Sequence, residues 1–329
     1  MARANIWWPH NLASFSGAAL FCLFGFNAPA RASPTITTFD VLGSTDTEAL
    51  GINGTGTTAG YYIQSGTPHG FVRAADGMIV TFDVSGSTGT AATSINDGGR
   101  IAGYYFDGSG AHGFVRKPNG IIATFDAGGD TFARSINHQG AITGSGGSGG
   151  FLRQPDGTIV TFGVTGATST DAEGINRAGE IAGTYFINAH QKVNFGFVRA
   201  PDGTITTFGS PLTFAQSINR TGTVAGYYLD HEGEPRHGLM RKANGTIVIF
   251  DVAGSTDTVA VGIDDNGEIA GSYVNSGGTP RGFVRKADGT IATFHVAGSL
   301  ATYPQSIADG EIAGYYTDGG GTHGFVRTP

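Results

Sequence analysis

The sequence has almost no cysteine: Cys22 is the only one in 329 residues. No disulfide can form within the chain, so a disulfide-stapled scaffold is excluded and the fold must rest on its core and its hydrogen bonds. Charge is scarce as well, at 14% of residues, against roughly a quarter in ordinary globular chains. Acids outnumber bases, 26 to 19. That balance argues against nucleic acid and against an anionic membrane surface as partners. Proline is limited to 12 residues and glycine keeps no Gly-X-Y register, which excludes collagen. The longest apolar stretch, Leu12–Phe26, is about 15 residues, short of a membrane span. No H-E-x-x-H, C-x-x-C or phosphate loop occurs, and nothing spaces three or four ligands for zinc. The residues therefore call for no cofactor and no metal, and no catalytic constellation stands out.

What is abundant is glycine, 56 residues, with 22 Phe and 11 Tyr. Aromatic and β-branched residues among glycines point to short strands joined by tight turns, and exclude disorder. Residues 1–32 read differently. Arg3 is the only charge before the apolar stretch, and Ala30-Arg31-Ala32 follows it, the pattern of a secretory signal peptide cut after Ala32. Residues 33–329 are then a single exported domain, extracellular or periplasmic, with no membrane span after cleavage. Loss of Arg3 and Arg31 brings its net charge to about −9.

Self-similarity fixes the expected architecture. A GFVR-type motif recurs with its apolar residue at Phe71, Phe114, Phe151, Phe197, Leu239, Phe283 and Phe325. A TF-type motif places Phe at 39, 82, 125, 162, 208, 250 and 294, and an (S/G)-I-N motif places Ile at 52, 95, 136, 175, 218, 263 and 307. The period is about 42 residues, that of a four-stranded propeller blade. The strand signals of the first full copy are Glu48–Asn53, Thr57–Tyr62, His69–Arg73 and Met78–Val84. The expectation is an all-β, seven-bladed β-propeller with four antiparallel strands per blade. A lone N-terminal strand, 35–41, should pair with the C-terminal strand 323–328 and close the ring.

Spacing separates fixed turns from variable loops. GFVR to TF is 11 residues in all six internal copies, with Asp-Gly or Asn-Gly between, a tight hairpin. The Ile of (S/G)-I-N lies 8 residues before the next A-G glycine in six copies and 7 in the last, where Ala308 replaces the usual Asn or Asp. The other two connections vary, from 7 to 14 and from 10 to 13 residues. In a meander blade these emerge on one face, where binding usually resides.

The fixed hairpin also sets cross-strand register. His69 should oppose Asp83, His112 Asp126, His237 Asp251 and, across the chain ends, His323 Asp40. These read as structural His–Asp pairs, since pairs in separate blades do not converge on one ion. Arg73 and its six counterparts sit beside the tight turns, with stems expected on aliphatic surface and heads on turn carbonyls. Asp107, Asp230 and Asp318 read as turn formers rather than calcium ligands. Tyr61-Tyr62, Tyr104-Tyr105, Tyr227-Tyr228 and Tyr315-Tyr316 end the second strands. One member of each pair belongs to the core and the other is free to stack on a sugar, here taken as Tyr62, Tyr105, Tyr228 and Tyr316. Irregular side chains concentrate in two long loops, Ile187–Asn194 and Asp230–Arg236, the latter with Asp230, His231 and Glu232.

The unit G-I-N-x-x-G-x-I-A-G-Y-Y … H-G-F-V-R resembles the bacterial extracellular HAF repeat family. His69-Gly70-Phe71, His112-Gly113-Phe114, His237-Gly238-Leu239 and His323-Gly324-Phe325 match its His-Ala-Phe motif with Gly for Ala, and the likeness spans residues 35–329. It implies an exported bacterial repeat protein and brings no activity or catalytic residues. The expected function is a binding or interaction module with its ligand on the variable-loop face, a glycan or cell-envelope polymer. The alternatives are a carbohydrate lyase or hydrolase on the same scaffold and a structural surface protein without small ligand. An enzyme should gather one asymmetric cluster of acids or His at the channel mouth, whereas a binder can spread aromatics around it.

Overall fold

Alternation of Thr, Ile, Tyr and Phe with small residues gives every unit the same strands. A computed structural model describes residues 33–188 and 193–329. The expected leader, residues 1–32, and residues 189–192 of the longest loop lie outside the described residues. After β1 (Thr35–Phe39), the first unit consists of β2 (Asp46–Ile52), β3 (Thr58–Gln64), β4 (Thr67–Arg73) and β5 (Ile79–Phe82). Successive strands pair antiparallel. The tight β4–β5 turn pairs Arg73 with Ile79 and Phe71 with Thr81. Gly77, at φ +96°, donates its N–H to the Ala74 carbonyl at 2.9 Å, and the Asp76 carboxylate accepts from the Met78 N–H at 3.0 Å.

The core is a relay of rings between sheets. The GFVR residues Phe71, Phe114, Phe151, Phe197, Phe283 and Phe325 are fully buried. Each receives, edge-on, the TF phenylalanine of the preceding unit: Phe82 meets Phe114 at 5.9 Å and Phe294 meets Phe325 at 6.1 Å. That same TF ring lies over the glycine beside it in its own sheet. A Cβ on Gly70 would come within 2.8 Å of the Phe82 ring, which is why the motif carries Gly before Phe. The recurring arginines complete the layer. The Arg116 guanidinium sits 4.8 Å from the Phe82 ring centre, and Arg73, Arg153, Arg199, Arg241, Arg285 and Arg327 repeat this contact at 4.8–5.1 Å.

Sheet count corrects the expected seven-bladed closed propeller. The strands form six sheets, five of four strands and one mixed sheet of eight. In the eight-stranded sheet β1 pairs antiparallel with the last strand, Thr322–Thr328, from Thr35↔Thr328 to Phe39↔Gly324. One parallel bridge, Asp46↔Thr322, then joins that last strand to β2. The first and last units are thereby one sheet rather than two separate blades. The connection into β2 does not set this sheet apart: residues 40–45 read DVLGST, as 83–88 read DVSGST and 251–256 DVAGST, and all three make the same turn. β1 stops at Phe39, two residues before the expected end, because the chain turns at Val41, whose carbonyl accepts from the Ser44 N–H at 3.1 Å. Thr45 then lies against the start of the last strand. There Gly321, at φ +144°, would place a Cβ 2.6 Å from the Thr45 carbonyl oxygen. The repeated sheets are propeller-like, but they are not seven equivalent closed blades.

At the ends of the first strands, asparagines tie unit to unit. The amide nitrogens of Asn53, Asn96, Asn137, Asn176 and Asn219 donate to the carbonyl of the corresponding residue in the next unit at 2.9–3.1 Å. At Asp264 the direction reverses, and its carboxylate accepts from the Gly310 N–H at 3.0 Å. Among the described residues no helix is long and apolar enough to cross a membrane.

Candidate binding funnel

Each first strand carries a bulge, between Ala49 and Gly51 in β2 and at the equivalent place in the other six. A bulge leaves one residue outside the ladder and re-aims its side chain. Those unpaired residues are Leu50, Thr93, Arg134, Glu173, Gln216, Val261 and Gln305. All seven line a common cavity of about 260 Å³. Arg134 and Glu173 form its ion pair, at 4.0 Å.

Two residues earlier, toward the variable loops, Glu48, Phe132, Asp171, Phe214 and Tyr303 form the next layer. Glu48 pairs across the sheet with Tyr61, Phe214 with Tyr227, and Tyr303 with Tyr315. These side chains are half-buried, so the layer forms an open funnel above the cavity. Its rings touch one another. Tyr104 and Phe106 approach Phe132 at 5.1 and 6.3 Å, Phe214 stacks on Tyr227 at 4.8 Å, and Tyr303 faces Tyr315 at 5.1 Å.

The funnel is electrostatically uneven. On one side Arg134 lies 5.7 Å from the Phe132 ring centre and beside Glu173. Arg236 lies 5.9 Å from the Tyr227 ring centre and binds the Asp257 carboxylate through its backbone N–H and its guanidinium. Burial raises the carboxyls of Asp171 and Glu173 above their ordinary range, and Arg134 only partly offsets it. On the other side Glu48 is also raised by burial; the Tyr61 hydroxyl opposite it works against the rise and Asp46 adds to it. Burial pushes the Tyr315 hydroxyl up to about 12, with Glu48 and Tyr303 adding to the shift.

The residues named from sequence lie elsewhere, around this layer. Tyr62, Tyr105, Tyr228 and Tyr316 stack on His69, His112, His237 and His323, ring centres 5.0–5.3 Å apart. One ring face of each is thus already occupied. Each histidine in turn bonds an aspartate through Nδ1: His69 to Asp83 at 2.9 Å, His112 to Asp126 at 2.6 Å, His237 to Asp251 at 2.9 Å and His323 to Asp40 at 2.9 Å. In two of them Nε2 reaches a second carboxylate, Asp107 for His112 and Asp318 for His323, both at 3.1 Å. Asp230, His231 and Glu232 are exposed in the connection before Arg236, and Asp230 adds to the rise that burial gives the Tyr228 hydroxyl. Of that loop, Arg236 is the residue that reaches a funnel ring. Among the described residues no group of three or more His, Cys, Asp or Glu is placed to hold a metal.

The funnel tyrosines are therefore Tyr61, Tyr104, Tyr227 and Tyr315, the neighbours of those singled out from sequence. The bulge residues were missed altogether. Their signal is present in the repeats: the position before the Ser or Gly of (S/G)-I-N reads Leu, Thr, Arg, Glu, Gln, Val and Gln, a varied position inside a fixed strand.

No protein-family model matches the sequence, and none of the curated proteins matches it. Solved structures do resemble it. Virginiamycin B lyase from Staphylococcus aureus is similar over 90% of this chain and 100% of that chain, at 12% identity and a TM-score of 0.64. A streptogramin B lyase is similar over 89% and 97%, at 13% identity and a TM-score of 0.62. Puromycin hydrolase is similar over 82% of this chain and 50% of that chain, at 10% identity and a TM-score of 0.55. At such identities the likeness is one of fold, and the fold is propeller-like.

Proposed function

We propose that this chain is an exported binding module that takes a glycan or cell-envelope polymer in the funnel on its variable-loop face. The observation that carries the reading is the half-buried aromatic layer above the channel cavity. Sugar rings lay their C–H faces on aromatic rings, while carboxylates and guanidinium groups bond their hydroxyls. Phe132 with Tyr104, and Phe214 with Tyr227, supply such rings, and Arg134, Glu173 and Arg236 supply polar groups beside them. Export follows from the leader pattern at residues 1–32, and the HGFVR-type repeats are consistent with membership of the HAF repeat family.

A glycan array run beside a turnover screen tests this. Retention without turnover is expected, and Phe132→Ala should weaken it about tenfold, the scale of one lost ring contact. Failure of every glycan to bind would sink the reading. A second reading, a carbohydrate lyase or hydrolase, is favoured by one feature: Asp171 and Glu173 lie on a single side of the funnel with burial raising both, which suits a carboxyl that must deliver a proton. Turnover abolished by Glu173→Gln would establish it in place of the binder.

A further inference from the structure

One corner of the funnel carries a carboxylate without a cation. Glu48 is half-buried, and the residue opposite it across the sheet is the uncharged Tyr61. Across the funnel Glu173 pairs with Arg134 and Asp257 with Arg236, and the Arg134 charge also acts on Asp171. Among the described residues no Lys, Arg or His forms an ion pair with Glu48. Its other charged neighbour is Asp46, which makes the corner more negative. A carboxylate taken part-way out of water without a partner is costly, and a cation supplied from outside recovers that cost.

The walls suit one kind of cation. Tyr61 faces Glu48 across the sheet. Tyr315 comes from the last unit, on the strand Glu311–Thr317, which packs against β2, and Glu48 acts on its hydroxyl electrostatically. Tyr303 packs against Tyr315 at 5.1 Å. Aromatic faces attract alkylammonium groups and discriminate poorly for small hydrated metal ions. The floor beneath is Leu50, an apolar member of the bulge layer, which favours an organic cation over a bare ion.

We infer that the corner formed by Glu48, Tyr61, Tyr303 and Tyr315 is a subsite for an alkylammonium group. On the glycan reading, on which this part rests, that group is the protonated amine of an amino sugar. The acidic balance of the whole chain draws such cations toward the funnel.

Calorimetric titration of the folded protein with a glucosamine tetramer and with its N-acetylated counterpart tests the inference. The free-amine oligomer should bind about tenfold tighter, a typical worth for a desolvated cation–π and carboxylate contact. Glu48→Gln, which keeps the shape and removes the charge, should collapse that preference, and Tyr303→Leu should reduce it. Equal binding of both oligomers, unmoved by Glu48→Gln, overturns the amine subsite while leaving the glycan reading intact. If neither sugar binds, tetramethylammonium chloride is the deciding probe. Tyrosine fluorescence that responds to it in the wild type and not in Glu48→Gln upholds the subsite and removes the glycan reading. No response in either overturns both.

Discussion

At the scale of single residues, the repeated motif is a packing device in which each letter has a separate job. The Gly of HGFVR makes room for a ring, the Phe fills the space between sheets, and the Arg covers the ring of the neighbouring unit. The register that sets His69 opposite Asp83 was legible because the hairpin length is fixed. The arginine heads also donate where expected, to turn carbonyls at 3.3–3.4 Å, as Arg73 does to Ala74, but their second contact was not legible. The expected aliphatic bed is real, since Arg73 opposes Ile79, and the guanidinium in addition lies on a phenylalanine from another unit, because the spacing of one repeat does not encode contacts between repeats. The histidine pairs lead to a pH prediction. The His323 imidazole is raised above its usual range: burial works against the charge, and Asp40 and Asp318 outweigh it. A raised imidazole stabilises fully below the unfolded value, about 6.5, and ceases to as pH climbs through the folded one. Asp318 is held below its usual range, chiefly by the Gly320 N–H, so its share is present above about pH 4 and lost in stronger acid. His323→Gln should therefore lower the melting temperature more at pH 5.5 than at pH 8.5, and equal losses at both would contradict it.

At the scale of elements, the first strand of each unit decides where chemistry can occur. Its ladder holds the fold, its bulge points one residue into the channel, and in five of the seven units a terminal Asn ties it to the next unit. Strand positions came out of the period to within a few residues, as in Thr57–Tyr62 against the observed Thr58–Gln64. The bulge did not, because a two-residue alternation has no mark for the residue that breaks it. Nor did the choice within each tyrosine pair. Tyr61 and Tyr62 differ only in which face of β3 they occupy, and that face is set by the bulged partner strand. The ladder of asparagines has one acid, and the reason is local. The turn after Ile307 is one residue shorter, with Asp309 at φ +48°, and it offers Asp264 the N–H of Gly310 instead of a carbonyl. Asp264→Asn should thus destabilise by about 1–3 kcal/mol by setting an amide donor against a donor. A denaturant melt showing stabilisation would refute that account.

At the scale of the whole molecule, the chain ends determine how the sheets are counted. Pairing of β1 with the last strand covers an edge that would otherwise be open to other chains. The bridge at Asp46 and Thr322 then fuses two units into one sheet. The repeats made a sevenfold set of equal sheets the natural expectation. The fusion rests on that single bridge, because the connection itself, residues 40–45 (DVLGST), recurs at 83–88 (DVSGST) and 251–256 (DVAGST) where the sheets stay separate. Gly321→Ala should strain this seam by about 1–3 kcal/mol, since its φ is one that side chains avoid, and its added Cβ would meet the Thr45 oxygen. Thermal unfolding measures the loss, and a change within ±0.5 kcal/mol would show that the seam tolerates a side chain.

The bulges have a consequence for how such a protein can diversify. A residue outside the ladder donates nothing to the sheet through its side chain and is free to change identity without altering register. Leu, Thr, Arg, Glu, Gln and Val all occupy this place on near-identical strands. The scaffold thus carries seven interchangeable slots facing one chamber, and its selectivity can be rewritten one slot at a time while the frame stays constant.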